Sequence, residues 1–190
     1  MKTKLMAAIA ICFFAITATA QKTEIGFKAG ANFATLNTEA SPNPYKMKTG
    51  IHAGLLAHIH LTDKFALQPE VVYSGQGAKA DSGPGEINLG YLNVPILGQY
   101  MFANGFRLET GPQAGILLSA KTKYNGVTED VKDELKGFDF AWAFGLGYKS
   151  PMGLGVDARY NLGLSDINKD NTGGSVKNNV FQVGLFYQLK

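Results

Sequence analysis

The chain has 190 residues, of which 45% are hydrophobic, 11% aromatic and only 17% charged, with 23 glycines, one cysteine and a formal net charge of +3. Soluble domains carry about a quarter charged residues, so surface charge is scarce here. Disorder is excluded by the aromatics and β-branched residues, an internal disulfide by the single cysteine, a charge-driven nucleic-acid binder by the small net charge, and a helical membrane protein by the lack of an 18-residue apolar run after the N-terminus.

Residues 1–20 read as a secretory signal peptide. Lys2 and Lys4 form a positive n-region, Leu5 to Ile16 an apolar h-region, and Ala18-Thr19-Ala20 a small-x-small site that predicts cleavage between Ala20 and Gln21. Cys12 lies inside the apolar run, preceded by Ala10 and Ile11, which make a poor lipoprotein motif. The remaining domain, 21–190, has no cysteine and carries 16 basic residues against 15 acidic ones. Its charge points to no polyanionic partner. An exported chain without cysteine fits a Gram-negative envelope.

From Glu24 onward, apolar and polar residues alternate with period two, the mark of strands with two unlike faces. Ile25, Phe27, Ala29, Ala31 and Phe33 oppose Glu24, Lys28 and Asn32 in the first run. The second, Gly50–Leu61, sets Ile51, Ala53, Leu55, Ala57, Ile59 and Leu61 against His52, Leu56, His58 and His60. Lys64–Ser74 and Leu92–Phe102 supply the third and fourth. Four more follow over 106–119, 138–149, 154–165 and 181–189. These predict eight strands, long for a soluble sheet and suited to a tilted membrane strand.

The connections alternate in length. Thr62-Asp63-Lys64, Ala103-Asn104-Gly105 and Ser150-Pro151-Met152-Gly153 are tight, whereas 35–49, 78–88, 120–136 and 166–178 are long and polar. Short turns at one end and long loops at the other predict an all-β, eight-stranded antiparallel up-and-down transmembrane β-barrel. The polar face is built mainly from Gly, Ala, Ser, Asn and Gln, which suits a narrow lumen better than a water-facing exterior. Lumen charges of both signs are expected to neutralise one another structurally: Glu70, Arg107, Glu109, Asp157 and Arg159. Aromatic girdles are expected at the short-turn rim from Phe65, Phe102, Phe106, Tyr148 and Tyr187. Phe33, Tyr73, Phe138, Phe140, Tyr160 and Phe181 are expected at the long-loop rim. Tyr91, Leu97, Met101, Leu117 and Phe186 also point inward and oppose an open diffusion pore.

Several segments resemble the outer-membrane β-barrel family that includes the PorT-like proteins. They are Tyr91-Leu92-Asn93-Val94-Pro95-Ile96-Leu97, Gly111-Pro112-Gln113-Ala114-Gly115, Gly145-Leu146-Gly147-Tyr148 and Asp157-Ala158-Arg159-Tyr160-Asn161-Leu162-Gly163-Leu164. The resemblance implies a simple eight-stranded barrel in the outer membrane, in a family most of whose members have no defined activity. A PorT-like member can belong to a protein-secretion and gliding apparatus, and no residue here selects that role over another. The chain ends in Leu189-Lys190, where many outer-membrane barrels carry an aromatic residue.

Chemistry candidates are few. A lipid-modifying barrel enzyme needs a nucleophile, a base and an orienting acid within reach, and His52, Ser119 and Ser165 are tied by no spacing. His58-Ile59-His60 places two imidazoles about 6.5–7 Å apart along one strand face, fewer ligands than a stable zinc site takes. The residues 127–136, of mixed charge, read as a short helix or a solvated loop that engages a partner; Pro42-Asn43-Pro44-Tyr45 is a weaker candidate. The expected protein is therefore non-enzymatic. It uses no cofactor or metal, contacts outer-membrane lipid and no nucleic acid, and meets an envelope partner through its loops or periplasmic rim. A lipid-modifying enzyme and a soluble lipocalin-like carrier are the alternatives.

Overall fold

The computed structural model describes residues 22–38, 43–169 and 174–189. The proposed signal peptide and its Ala20/Gln21 cleavage pair lie outside the described residues. The strands are β1 (Thr23–Thr38), β2 (Tyr45–His60), β3 (Phe65–Ala80), β4 (Glu86–Met101), β5 (Phe106–Tyr124), β6 (Val127–Asp130), β7 (Phe138–Lys149), β8 (Leu154–Gly163) and β9 (Val176–Gln188). Every pairing is antiparallel. The β4–β5 and β1–β9 pairings close β1–β5 and β7–β9 into an eight-stranded ring, and β6 hangs outside it on β5. Closure satisfies each ladder without an edge, which a bilayer demands. No helix among the described residues is long and apolar enough to cross a membrane.

The alternation fixes which face meets lipid. Phe27, Leu55, Phe144 and Leu185 point outward and are more than half exposed, whereas Glu70, Arg159 and Asn161 point inward at 2% exposure or less. A soluble carrier would place these faces the other way round. The lumen here is polar.

The strands outrun their expected ends. Four of them have 16 residues, roughly 50 Å of chain at 3.3 Å per residue, against an apolar band of about 25 Å. The long connections 35–49 and 78–88 therefore shrink, because β1 runs on to Thr38, β2 starts at Tyr45, β3 ends at Ala80 and β4 starts at Glu86. Outward Lys, Asn and Gly replace the apolar residues there. The alternation fades from the sequence while the backbone ladder continues.

Of the two readings of the mixed-charge segment, short helix and solvated loop, neither describes it throughout. Val127–Asp130 pairs with Lys121–Tyr124, and only Lys132–Glu134 winds into a 3-10 turn. The cause is Asn125-Gly126, both at positive φ (48° and 83°). An Asn-Gly pair suits a two-residue hairpin turn, which requires φ > 0 at both central positions.

The short turns match expectation. The Thr62 hydroxyl accepts hydrogen bonds from the backbone N–H groups of Lys64 and Phe65 at 3.2 and 3.0 Å.

Candidate functional site

The lumen is organised around Arg159 on β8. Its Nη1 and Nη2 each donate to a Glu70 carboxylate oxygen at 2.9 Å, and its Nε donates to Glu109 at 2.9 Å. In the ring order β3 lies diametrically opposite β8, so the two-pronged Arg159–Glu70 contact braces the barrel across its bore. Such fork-to-fork pairs are the strong, direction-fixing kind. Glu109 reaches Arg159 from β5 across β7, where Gly145 stands between them. A Cβ at Gly145 would lie 2.8 Å from the Glu109 carboxylate. The glycine leaves the space in which the pair meets.

Lys28 on β1 completes the centre. Its ammonium donates to Asp157 at 2.7 Å and lies 3.6 Å from Glu70. Gln68 and Gln99 donate to Glu70 and Glu109 at 2.8 and 2.9 Å. Arg107 is placed differently from the expected network. Its guanidinium sits 4.7 Å over the Phe186 ring and donates to Gln99 at 3.4 Å, with no carboxylate within ion-pair distance among the described residues. The lumen thus holds three buried cations, Lys28, Arg107 and Arg159, and three central carboxylates, Glu70, Glu109 and Asp157. Buried charge is tolerable only when compensated in this way.

Toward the long-loop end, neutral polar groups take over. Asn161 donates to Gln182 and Gln182 to Asn32, at 3.0 and 2.9 Å. His52 Nδ1 lies 2.7 Å from the side-chain oxygen Oδ1 of Asn32, and the Asn32 amide nitrogen donates to Ser74 at 2.9 Å. Above them Ser165 donates to Asp139 at 2.7 Å, and Asn178 donates to Gln76. Of the residues weighed for catalysis, His52 is thus engaged with Asn32 and Ser165 with Asp139.

An apolar cap closes this end. Tyr91, Leu89, Leu117, Leu36, Val176 and Ile167 form one buried cluster. Ile167 comes from the segment after β8, which folds over the mouth: Ile167 N–H donates to Val176 at 2.9 Å and Lys136 N–H to Ile167 at 2.8 Å. Asp166 clamps it by accepting from the N–H groups of Val176 and Asn168 at 2.9 and 3.1 Å, with the Lys136 ammonium at 3.3 Å. Burial pushes the Asp166 pKa up, but these donors outweigh it and hold the carboxyl below its ordinary value. As expected, Tyr91, Leu97, Leu117 and Phe186 are buried in the bore; Met101 is half-buried.

At the short-turn mouth, Glu24 meets the Lys149 and Lys22 ammonium groups at 2.6 and 3.0 Å. His58 and His60 stack edge to face with ring centroids 4.5 Å apart, and no group of three metal-ligating side chains forms among the described residues.

The expected short-turn aromatics are outward-facing and gather in clusters. Phe65, Tyr100 and Phe102 stack at 5.2 and 5.0 Å, Phe106 and Tyr148 at 5.1 Å, and Phe27 and Tyr187 at 5.7 Å. At the long-loop end Phe33 and Phe181 pair at 6.3 Å, with Tyr73, Phe138, Phe140 and Tyr160 exposed around the same wall. Tyr100 and Phe27 join the short-turn clusters unforeseen; both lie on the apolar face, Tyr100 one residue before the end of β4 and Phe27 four residues into β1.

A family model described as outer membrane protein beta-barrel domain matches residues 19–169. The match ends before β9 and does not select the PorT-like branch. No curated protein matches the sequence. Among solved structures, the Neisserial surface protein A (NspA) is similar with a TM-score of 0.63 and 15% identity, covering 88% of this chain and 99% of that one. The attachment invasion locus protein Ail of Yersinia pestis is similar with a TM-score of 0.55 and 16% identity over 88% and 99%. Ail in complex with the heparin analogue sucrose octasulfate gives a TM-score of 0.54, with 16% identity over 88% and 99%.

Proposed function

Because the chain belongs to the outer membrane protein β-barrel domain family and resides in the outer membrane, we propose that it is a non-enzymatic interaction protein whose working surface is the β5–β6 hairpin. The observation that carries this reading is that, among the described residues, β6 is the one strand of the sheet outside the closed ring. Its four residues are all exposed, and Tyr124 and Val127 at its tip are 61% exposed. In a two-residue hairpin the pairing alternates, which turns the backbone N–H and C=O of Thr128 away from β5. Such an edge is a template for an added strand. Loops on a rigid scaffold are where binding concentrates, and this barrel is braced from wall to wall.

Two features favour binding over chemistry or transport. His52 and Ser165 are engaged with Asn32 and Asp139 rather than with each other. The bore is crossed by Arg159–Glu70 and stoppered by the cluster around Ile167, so planar-bilayer recordings are expected to show no steady single-channel current.

The test is a photo-crosslinker placed at Val127 in intact cells, with Met152 in the opposite turn as control. We expect an adduct at position 127 alone, abolished by Thr128→Pro, which removes the edge N–H. An adduct indifferent to Thr128→Pro would refute strand addition.

A further inference from the structure

We propose that the outer wall of β2–β5 carries a seat for the phosphate of an anionic glycolipid in the outer leaflet, between Lys48 and Lys121. A notch of about 260 Å³ opens there, lined by both lysines, Tyr73 and Ser119. Its floor is backbone, because Gly75 and Gly90 face each other across β3 and β4. The position a Cβ would take on Gly90 lies 2.6 Å from the Ser119 hydroxyl and 3.2 Å from that of Tyr73. Two hydroxyls therefore converge on one empty spot. Among the described residues neither hydroxyl has a hydrogen-bond partner, and neither Lys48 nor Lys121 meets a carboxylate within 4 Å. Two hydroxyl donors in a notch lined by two lysines suit an oxyanion.

The surrounding charge favours an anion as well. Lys79 and Lys123 flank the notch from the next rows, on either side of Glu86 in register. The carboxylates facing the patch are Glu86, which accepts from Asn88 at 3.2 Å, and Asp130, opposite Lys121 in register. Four lysines thus face two acids.

Height selects the lipid as the source of the phosphate. Leu118 and Tyr73 are outward and nearly half exposed, and Lys121 follows Leu118 by three residues, roughly 10 Å of strand. The lysines stand where the apolar band gives way to headgroups. The notch opens sideways, along the leaflet.

The experiment is native mass spectrometry of the folded mature barrel titrated with a bisphosphorylated lipid A, and with the same lipid stripped of its phosphates. Heat-modifiable migration on gels verifies folding of each variant. We expect the wild type to retain the phosphorylated lipid. The Lys48→Gln/Lys121→Gln pair should lose at least tenfold in apparent affinity. Lys177→Gln, on the opposite side of the barrel, should bind as wild type does. Gly90→Ala fills the cradle without changing charge and should also lose binding. If Gly90→Ala does not fold, the lysine pair decides alone. Equal retention by the lysine pair, equal retention of the dephosphorylated lipid, full binding by a folded Gly90→Ala, or displacement by millimolar inorganic phosphate would each overturn the proposal.

Discussion

Replacing Arg159 with methionine tests the central brace. Arg159 makes three hydrogen bonds to Glu70 and Glu109 and is 2% exposed. Its loss leaves Glu70, Glu109 and Asp157 buried around Lys28 alone, since Arg107 contacts Phe186 and Gln99 instead. Removing one partner of a buried ion pair costs about 3–5 kcal/mol, mostly because the other charge is orphaned. Arg159→Met should therefore destabilise the barrel by about that amount. Urea unfolding in lipid vesicles, followed by heat-modifiable migration, reads the change. Lys46→Met is the reference: its 2.8 Å pair with Asp81 is largely exposed and should cost about 0–1 kcal/mol. Adding Glu70→Gln to Arg159→Met removes one orphan, so the double variant should be more stable than the sum of the singles implies. Strict additivity, or an Arg159→Met cost below about 1 kcal/mol, would refute a charge-braced lumen.

Three further outcomes are expected. Trp142, the chain's one tryptophan, faces outward and donates from Nε1 to Thr110 Oγ1 at 2.8 Å; brominated acyl chains should quench its fluorescence, and absence of quenching would contradict a lipid-facing wall. At Gly155 a Cβ would lie 2.1 Å from the Phe186 ring, so Gly155→Ala should destabilise by about 1–3 kcal/mol through overpacking; in the same urea assay Phe186→Leu should recover part of the loss. The Asp166 carboxyl has a pKa below its ordinary value. Its clamp on the cap is therefore complete above the unfolded value of about 3.9 and is lost as pH falls from there through the lower folded value. Hydrogen exchange of the backbone at Val176 and Asn168 should rise over that acid window, and Asp166→Asn should remove the pH dependence.

How much of this was legible follows from range. Alternation is local, so it identified the two faces, the eight ring strands and the inward carboxylates. Pairing is not local. Lys28 stands on the polar face of the first run, but its partner Asp157 is 129 residues away and becomes its neighbour only when β1 and β9 close the ring. Arg107 shows the converse: its parity was readable, whereas its preference for the Phe186 ring over a carboxylate depends on how two inward side chains lean. The hairpin was legible in Asn125-Gly126, yet the mixed charge after it left only a short helix and a solvated loop in view. Strand ends were lost where outward residues turn polar above the membrane, since period two then carries no contrast.

The scarcity of charge and the excess of glycine have one origin. An eight-stranded bore is just wide enough to be filled by side chains, so each large inward group needs a small neighbour on the adjacent strand. Phe186 lies over Gly155, Glu109 over Gly145 and Arg107 over Gly147. Asp157 and His52 approach Gly184 from two sides. The same rule on the outer wall, with Gly75 facing Gly90, leaves a hollow where no inward group needs it. On the inside such gaps are filled by the protein's own charges, and each filled gap stiffens the wall. On the outside the gap stays open between lysines that meet no carboxylate among the described residues. Both proposed binding surfaces are what the stoppered ring does not consume: the edge of β6 and the hollow beside Lys121.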